Sequence, residues 1–195
     1  MVYKNAIVLT GVDEVGRGSL FGPVFACAVV LGQANSTRLI KLGLKDSKKL
    51  SKLKISKLAP IIKTYAEEWG VGQSSAKEID KTGIRKATEI AMIRALQKLA
   101  KPPDLVLIDG CLNLRGWEGK QKTIIKGDDS CPAIAAASVI AKNSRDELIK
   151  RLSKKYPKYG LQKNVGYGTA FHRQALSNYG PTDLHRLSFI KKFLG

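Results

Sequence analysis

The chain has 195 residues, 44% of them hydrophobic, enough to bury a core and within the usual range of one globular domain. Lys and Arg number 34 against 16 Asp and Glu, a net charge of +18, so the favoured partners are polyanions, with nucleic acid first among them. The three cysteines, Cys27, Cys111 and Cys131, are odd in number and form no CxxC pair, which argues against zinc and against a disulfide framework; no apolar run reaches the ~18 residues of a membrane span.

Ribosomal proteins, chromatin proteins and nucleases all share such a charge, so function has to come from the residue pattern. The cysteines read as small apolar side chains of a reducing compartment, and the apolar run over 6–9 is too brief for a secretion signal. A cytosolic protein is expected.

Residues 5–12 are mostly apolar and β-prone, and 24–31 are so again, with Gly22-Pro23 between. Two neighbouring strands joined by a glycine-rich connection are expected, because no helix tolerates GRGSLFGP in its middle. Residues 43–69 predict a helix capped by Asp46 or Ser47, with an apolar stripe through Leu50, Leu53, Ile55, Leu58, Ile61 and Ile62 and lysines on the solvated face. WGVGQSS reads as a strand, and residues 76–100 as one long helix that Lys101-Pro102-Pro103 stops.

DLVLIDG is a short apolar strand that ends in a carboxylate. After it, 123–125 predict a strand, 126–130 a turn, and 132–152 an alanine-rich helix suited to close packing. Beyond Tyr156 the strands cease, and short helices are expected over 169–177 and 183–189. Strands and helices alternate, so the fold class is α/β, with a mixed central sheet flanked by helices and a small C-terminal helical extension.

Three expected strand ends carry acids: Asp13 with Glu14, Asp109, and Asp128 with Asp129. Taken singly, Asp109 before Gly110 and Asp129 before Ser130 are also turn-capping acids. The adjacent pair Asp13-Glu14 is harder to explain that way. In open α/β sheets strand ends converge on one crevice, and carboxylates gathered there resist ionisation unless a cation sits among them. All-oxygen ligands favour Mg²⁺ or Mn²⁺, and two such ions roughly 4 Å apart hydrolyse phosphodiesters.

The stretches GVDEVGRGSLFGPV, LKDSKKLS, KEIDKTGI, VLIDG, KGDDSCPAIAAASVIAKNSRD, GYGTAFH and LHRLSF resemble, in order and spacing, the motifs of bacterial ribonuclease HII. The resemblance runs from about Val12 to Phe189. It implies a ribonuclease H-like fold, with a catalytic domain over 1–155 and a helical extension over 156–195 that contributes to substrate binding within one compact unit. The implied enzyme is a monomeric endoribonuclease acting on the RNA of RNA–DNA hybrids and on single ribonucleotides embedded in duplex DNA. It cuts 5′ of the ribonucleotide, leaves a 3′-hydroxyl and a 5′-phosphate, and serves DNA repair and replication.

Motif by motif, the resemblance assigns two divalent ions, Mg²⁺ or Mn²⁺, to Asp13, Glu14, Asp109 and Asp128, with Asp129 a neighbouring acid. Gly16, Arg17 and Gly18 sense the ribose 2′-hydroxyl, a role that suits glycines because they let a backbone approach a sugar closely. Tyr167 stacks on the sugar of the following deoxynucleotide. Ser47, Lys48 and Lys49 at an expected helix start, together with Lys126 and Ser138, contact the nucleic-acid backbone. His172 and His185 are read as structural. FGP at 21–23 echoes the sister enzyme ribonuclease HIII, and QKNVGY departs from the usual approach to the tyrosine. The alternatives are an HIII-like nuclease that ignores lone ribonucleotides and a non-catalytic nucleic-acid binder.

Overall fold

A computed structural model describes residues 9–194. The first expected strand is β1, Leu9–Val15; residues 5–8 of that expectation lie outside the described residues. β2, Val24–Val30, returns antiparallel to β1, with Thr10 opposite Val30 and Val15 opposite Phe25. β3, Glu68–Ser74, adds antiparallel to β2, while β4, Leu105–Asp109, and β5, Gln121–Ile124, continue parallel on the other side of β1. The order β3-β2-β1-β4-β5 is the expected mixed sheet.

Period-two alternation sorts the sheet into two cores. Val12, Val24, Ala26 and Ala28 pack on one face against α4, Ile84–Leu96, with Met92 and Ala95 among its contacts. Cys27 and Val29 face the other way, onto α2, Lys52–Tyr65, and α6, Pro132–Lys155. Helices on both sides leave every residue of β2 buried, so it is apolar throughout. The alanines of α6 let it lie directly on β1 and β2, as its composition predicts.

Three expectations change. The helix over 76–100 is two, α3 (Ala76–Thr82) and α4, because Gly83 adopts φ +80° and its N–H closes α3 on the Ile79 carbonyl. Asp46 caps a 3-10 turn, Ser47–Lys49, and α2 starts later under the Ser51 hydroxyl. The turn over 126–130 is a one-turn helix, α5 (Gly127–Ser130). An unexpected helix, α1 (Gln33–Lys41), buries only Leu39 and has no side-chain cap, so its local sequence barely announces it.

The C-terminal segment comprises α7 (Leu161–Asn164), α8 (Ala170–Tyr179) and α9 (Leu187–Leu194). Leu161, Leu176 and Ile190 form a third core with Leu20 and Phe21 of the glycine-rich connection and Ile149 of α6. The helical extension therefore packs on the loop that follows Asp13 and Glu14.

Candidate active site

Val12 lies opposite Ile108 on the neighbouring parallel strand, which sets Asp13 and Asp109 level at adjacent strand ends. After β5 the chain turns through Lys126, held at φ 55°, into α5; Asp109 Oδ1 accepts the Gly127 N–H at 2.8 Å and draws Asp128 inward. Carboxylate oxygens of Asp13, Asp109 and Asp128 all lie within 4.8 Å of one another. Glu14 follows Asp13 on the opposite face of the strand end, its N–H bonded to Asp13 Oδ1 at 2.7 Å.

Burial, followed by repulsion from Glu14, raises the Asp13 carboxyl well above the usual range, with Ser138 opposing as a hydrogen-bond donor. Burial likewise raises Glu14, against the pull of Arg17, whose Nη1 stands 3.4 Å from Glu14 Oε1. Lys48 Nζ meets Asp128 Oδ2 at 2.8 Å, and that hydrogen bond raises the lysine above its ordinary value. Lys49 pairs with Asp129, a carboxylate outside the first group. Buried, mutually repelling oxygens suit a hard divalent cation, and this donor set fits Mg²⁺ or Mn²⁺ rather than zinc.

The remaining sequence-derived residues divide into two sets. Gly16, Arg17 and Gly18 border the acids, and the strand-like bridge Ser19–Tyr167 ties their loop to Tyr167. Gly16 packs on Arg145, where an added Cβ would stand 2.2 Å from Nε; an added Cβ on exposed Gly18 would meet nothing within 4 Å. Lys48 and Lys126 are exposed. Ser47 and Ser138 are buried instead, their hydroxyls 2.8 Å apart. Ser138 opposes the rise of the Asp13 carboxyl, so the serine pair adjoins that carboxylate.

Sequence reasoning missed Arg145 and Arg186, which hold this loop from within, and Asp80, which bonds the backbone just after Arg186. One signal was available for Arg145: it falls four residues after Ala141 and four before Ile149, on the buried stripe of α6.

The mixed sheet with acids at its central strand ends, backed by a long alanine-rich helix, defines a nuclease of the ribonuclease H class. Residues 10–192 match the family model for ribonuclease HII. A ribonuclease HII of Prochlorococcus marinus is 63% identical over 188 residues, which cover 96% of this chain and 98% of the relative; one of Parasynechococcus marenigrum is 59% identical, covering 96% and 84%. The crystal structure of ribonuclease H2 from Pyrococcus horikoshii superposes with a TM-score of 0.81 at 25% identity, covering 96% of this chain and 97% of that one. The chain belongs to the ribonuclease HII family and is an endoribonuclease acting on RNA paired with DNA.

Proposed function

We propose that this endoribonuclease also cuts duplex DNA at a single embedded ribonucleotide, on its 5′ side, leaving a 3′-hydroxyl and a 5′-phosphate. The observation that carries the reading is the junction of two groups: the convergent carboxylates of Asp13, Asp109 and Asp128, and a loop bridged at Ser19 to Tyr167. The first group is suited to hydrolysing a phosphodiester and the second to reading the sugars on either side of it.

Asp13, Glu14, Asp109 and Asp128 are the residues that would hold two divalent ions, Mg²⁺ or Mn²⁺. When bound, these ions supply Lewis-acid activation of water and neutralise charge developing on the phosphate. The Gly127 N–H holds the Asp109 carboxylate in place, and Ser138 adjoins that of Asp13. The backbone at Gly16-Arg17-Gly18 reads the 2′-hydroxyl, with open space above Gly18 for the sugar. The half-buried Tyr167 ring stacks on the next sugar, backed by the Arg145 guanidinium 5.5 Å from its centroid. Lys48 and Lys126 are the phosphate contacts, and the segment over 156–195 serves as the substrate-binding extension.

The test is cleavage of a duplex carrying one ribonucleotide, with each metal in turn and the product ends mapped. Cutting 5′ of the ribonucleotide in Mg²⁺ or Mn²⁺ is expected. An intact duplex, beside a continuous hybrid that is cut, would leave the HIII-like alternative in its place.

A further inference from the structure

Arg145 and Arg186 are both wholly buried, and among the described residues neither makes an ion pair with a carboxylate. Burial lowers the basicity of both guanidinium groups, with Arg145 adding repulsion at Arg186 and Asp146 and Asp80 opposing the shifts from beyond ion-pair distance. Such an arrangement is costly, and most of the hydrogen bonding in both cases runs to one short stretch of chain. Arg145 donates from Nε to the Pro23 carbonyl at 3.2 Å, and from Nη2 to Ser19 Oγ at 2.7 Å and the Phe21 carbonyl at 3.1 Å. Its Nη1 reaches the Val165 carbonyl at 2.9 Å, two residues before Tyr167. Arg186 donates from Nε to the Gly22 carbonyl at 2.9 Å and from Nη1 to the Arg17 carbonyl at 2.8 Å.

Four carbonyls of the 17–23 segment are thus drawn inward by two rigid planar forks, whose geometry fixes direction as well as distance. The remaining Arg186 nitrogen, Nη2, is buried without a partner, so packing rather than saturated hydrogen bonding holds this side chain in place. Asp80, within the KEIDKTGI stretch, explains how. Its carboxylate accepts the Leu187 N–H at 2.8 Å and the Ser188 N–H at 2.9 Å, capping α9 from the distant helix α3, immediately after Arg186.

We infer that Arg145 and Arg186 are positioning residues for ribonucleotide recognition. They fix the outward face of Gly16-Arg17-Gly18 against Tyr167, and Asp80 anchors Arg186 from α3. This rests on the proposed reading of that loop as the sugar sensor. Neither arginine touches substrate; each acts through the backbone that does. A lysine can keep the charge at either position but cannot reproduce two bonds in one plane.

The experiment measures kcat and KM for the single-ribonucleotide duplex with Arg145→Lys, Arg186→Lys and Asp80→Asn, together with Mn²⁺ affinity by calorimetry and thermal midpoints. Leu39→Ala, a cavity in a core cluster that shares no residue with the one around Leu20 and Phe21, serves as a stability control. The expected result is a 10- to 100-fold fall in kcat/KM for the lysine variants and a smaller fall for Asp80→Asn, roughly the scale of a misplaced recognition element, with Mn²⁺ affinity unchanged. The control is expected to lose at least as much thermal stability while keeping its turnover. Lysine variants with wild-type kcat/KM, or a control that loses activity in proportion to its stability, would overturn the inference. If a lysine variant does not fold, Asp80→Asn decides, because its side chain lies at the surface end of the same connection. Failure of the wild-type chain to cut the lone ribonucleotide would sink the proposed function instead, a separate outcome from wild-type cleavage with indifferent variants.

Discussion

The Nε2 atoms of His172 and His185 lie 3.1 Å apart inside the C-terminal segment. The Thr182 N–H donates to His185 Nδ1 at 2.9 Å, which leaves the His185 proton on Nε2. His185 then donates to His172 Nε2, and the proton on His172 Nδ1 points to the Tyr167 carbonyl at 3.0 Å. The chain of bonds works only with both rings neutral, because a proton added to either one sets N–H against N–H.

Burial, with His172 adding repulsion, lowers His185 from 6.5 to about 4; burial lowers His172 as well. Only Asp183 opposes the shift of His185 electrostatically. A folded pKa below the unfolded one means that the unfolded chain binds more protons, so this stability is complete above about pH 6.5 and is lost as pH falls toward 4. From His185 alone the loss is on the order of 3 kcal/mol. Urea unfolding at pH 7.5 and 4.5 measures it, and His185→Asn, which keeps an acceptor for Thr182, is expected to flatten the slope. An unchanged slope would assign the acid sensitivity elsewhere.

Gly16 and Gly18 flank the same arginine but answer to different demands. At Gly16 a side chain meets the Arg145 guanidinium at a φ of +88°, so Gly16→Ala is expected to cost about 2–5 kcal/mol in stability. At Gly18 an added methyl meets nothing in the protein, so Gly18→Ala is expected to keep stability within about 0.5 kcal/mol. Its cleavage of a lone ribonucleotide should still fall at least about tenfold, because the methyl occupies the place of the sugar. Thermal unfolding beside turnover separates the two; full activity in Gly18→Ala would remove the sugar from that spot.

Asp13→Asn is expected to lower kcat by roughly 10²–10³-fold, the scale of losing several kcal/mol of metal-assisted charge stabilisation. Duplex binding should be unchanged or tighter, since one negative charge near phosphate is gone. In metal-free buffer the variant should melt no lower than wild type, because burial and Glu14 already disfavour the Asp13 carboxylate. Turnover close to wild type would overturn its role as a ligand.

Tyr167→Ala should weaken cleavage of a lone ribonucleotide about tenfold or more, the worth of one aromatic stacking contact. A continuous hybrid, bound along its length, should suffer less. Equal losses on both substrates would make Tyr167 a packing residue of the loop bridge rather than a reader of the junction.

The strand-end acids were legible in the sequence because a strand's period and its closing turn are local properties. The same holds for the alanine-rich helix over the sheet and for the succession of elements. Gly83 shows the limit of periodicity: the apolar stripe over 76–100 continues in register while the backbone turns out of the helix. Ser47 and Ser138 read as phosphate contacts from their motifs, yet they are buried and face each other across 91 positions of chain, with Ser138 adjoining Asp13.

What the sequence determined by itself was the inventory: carboxylates of a kind suited to a divalent metal, an arginine between two glycines next to them, and the family to which they belong. Only the tertiary structure decided that Arg145 and Arg186, two of many cations in a basic chain, lie inside it. A guanidinium's role depends on which carbonyls surround it. Here the loop carbonyls of Pro23 and Phe21 lie more than 120 residues from Arg145, and those of Gly22 and Arg17 more than 160 from Arg186, brought within reach by packing that no local pattern encodes.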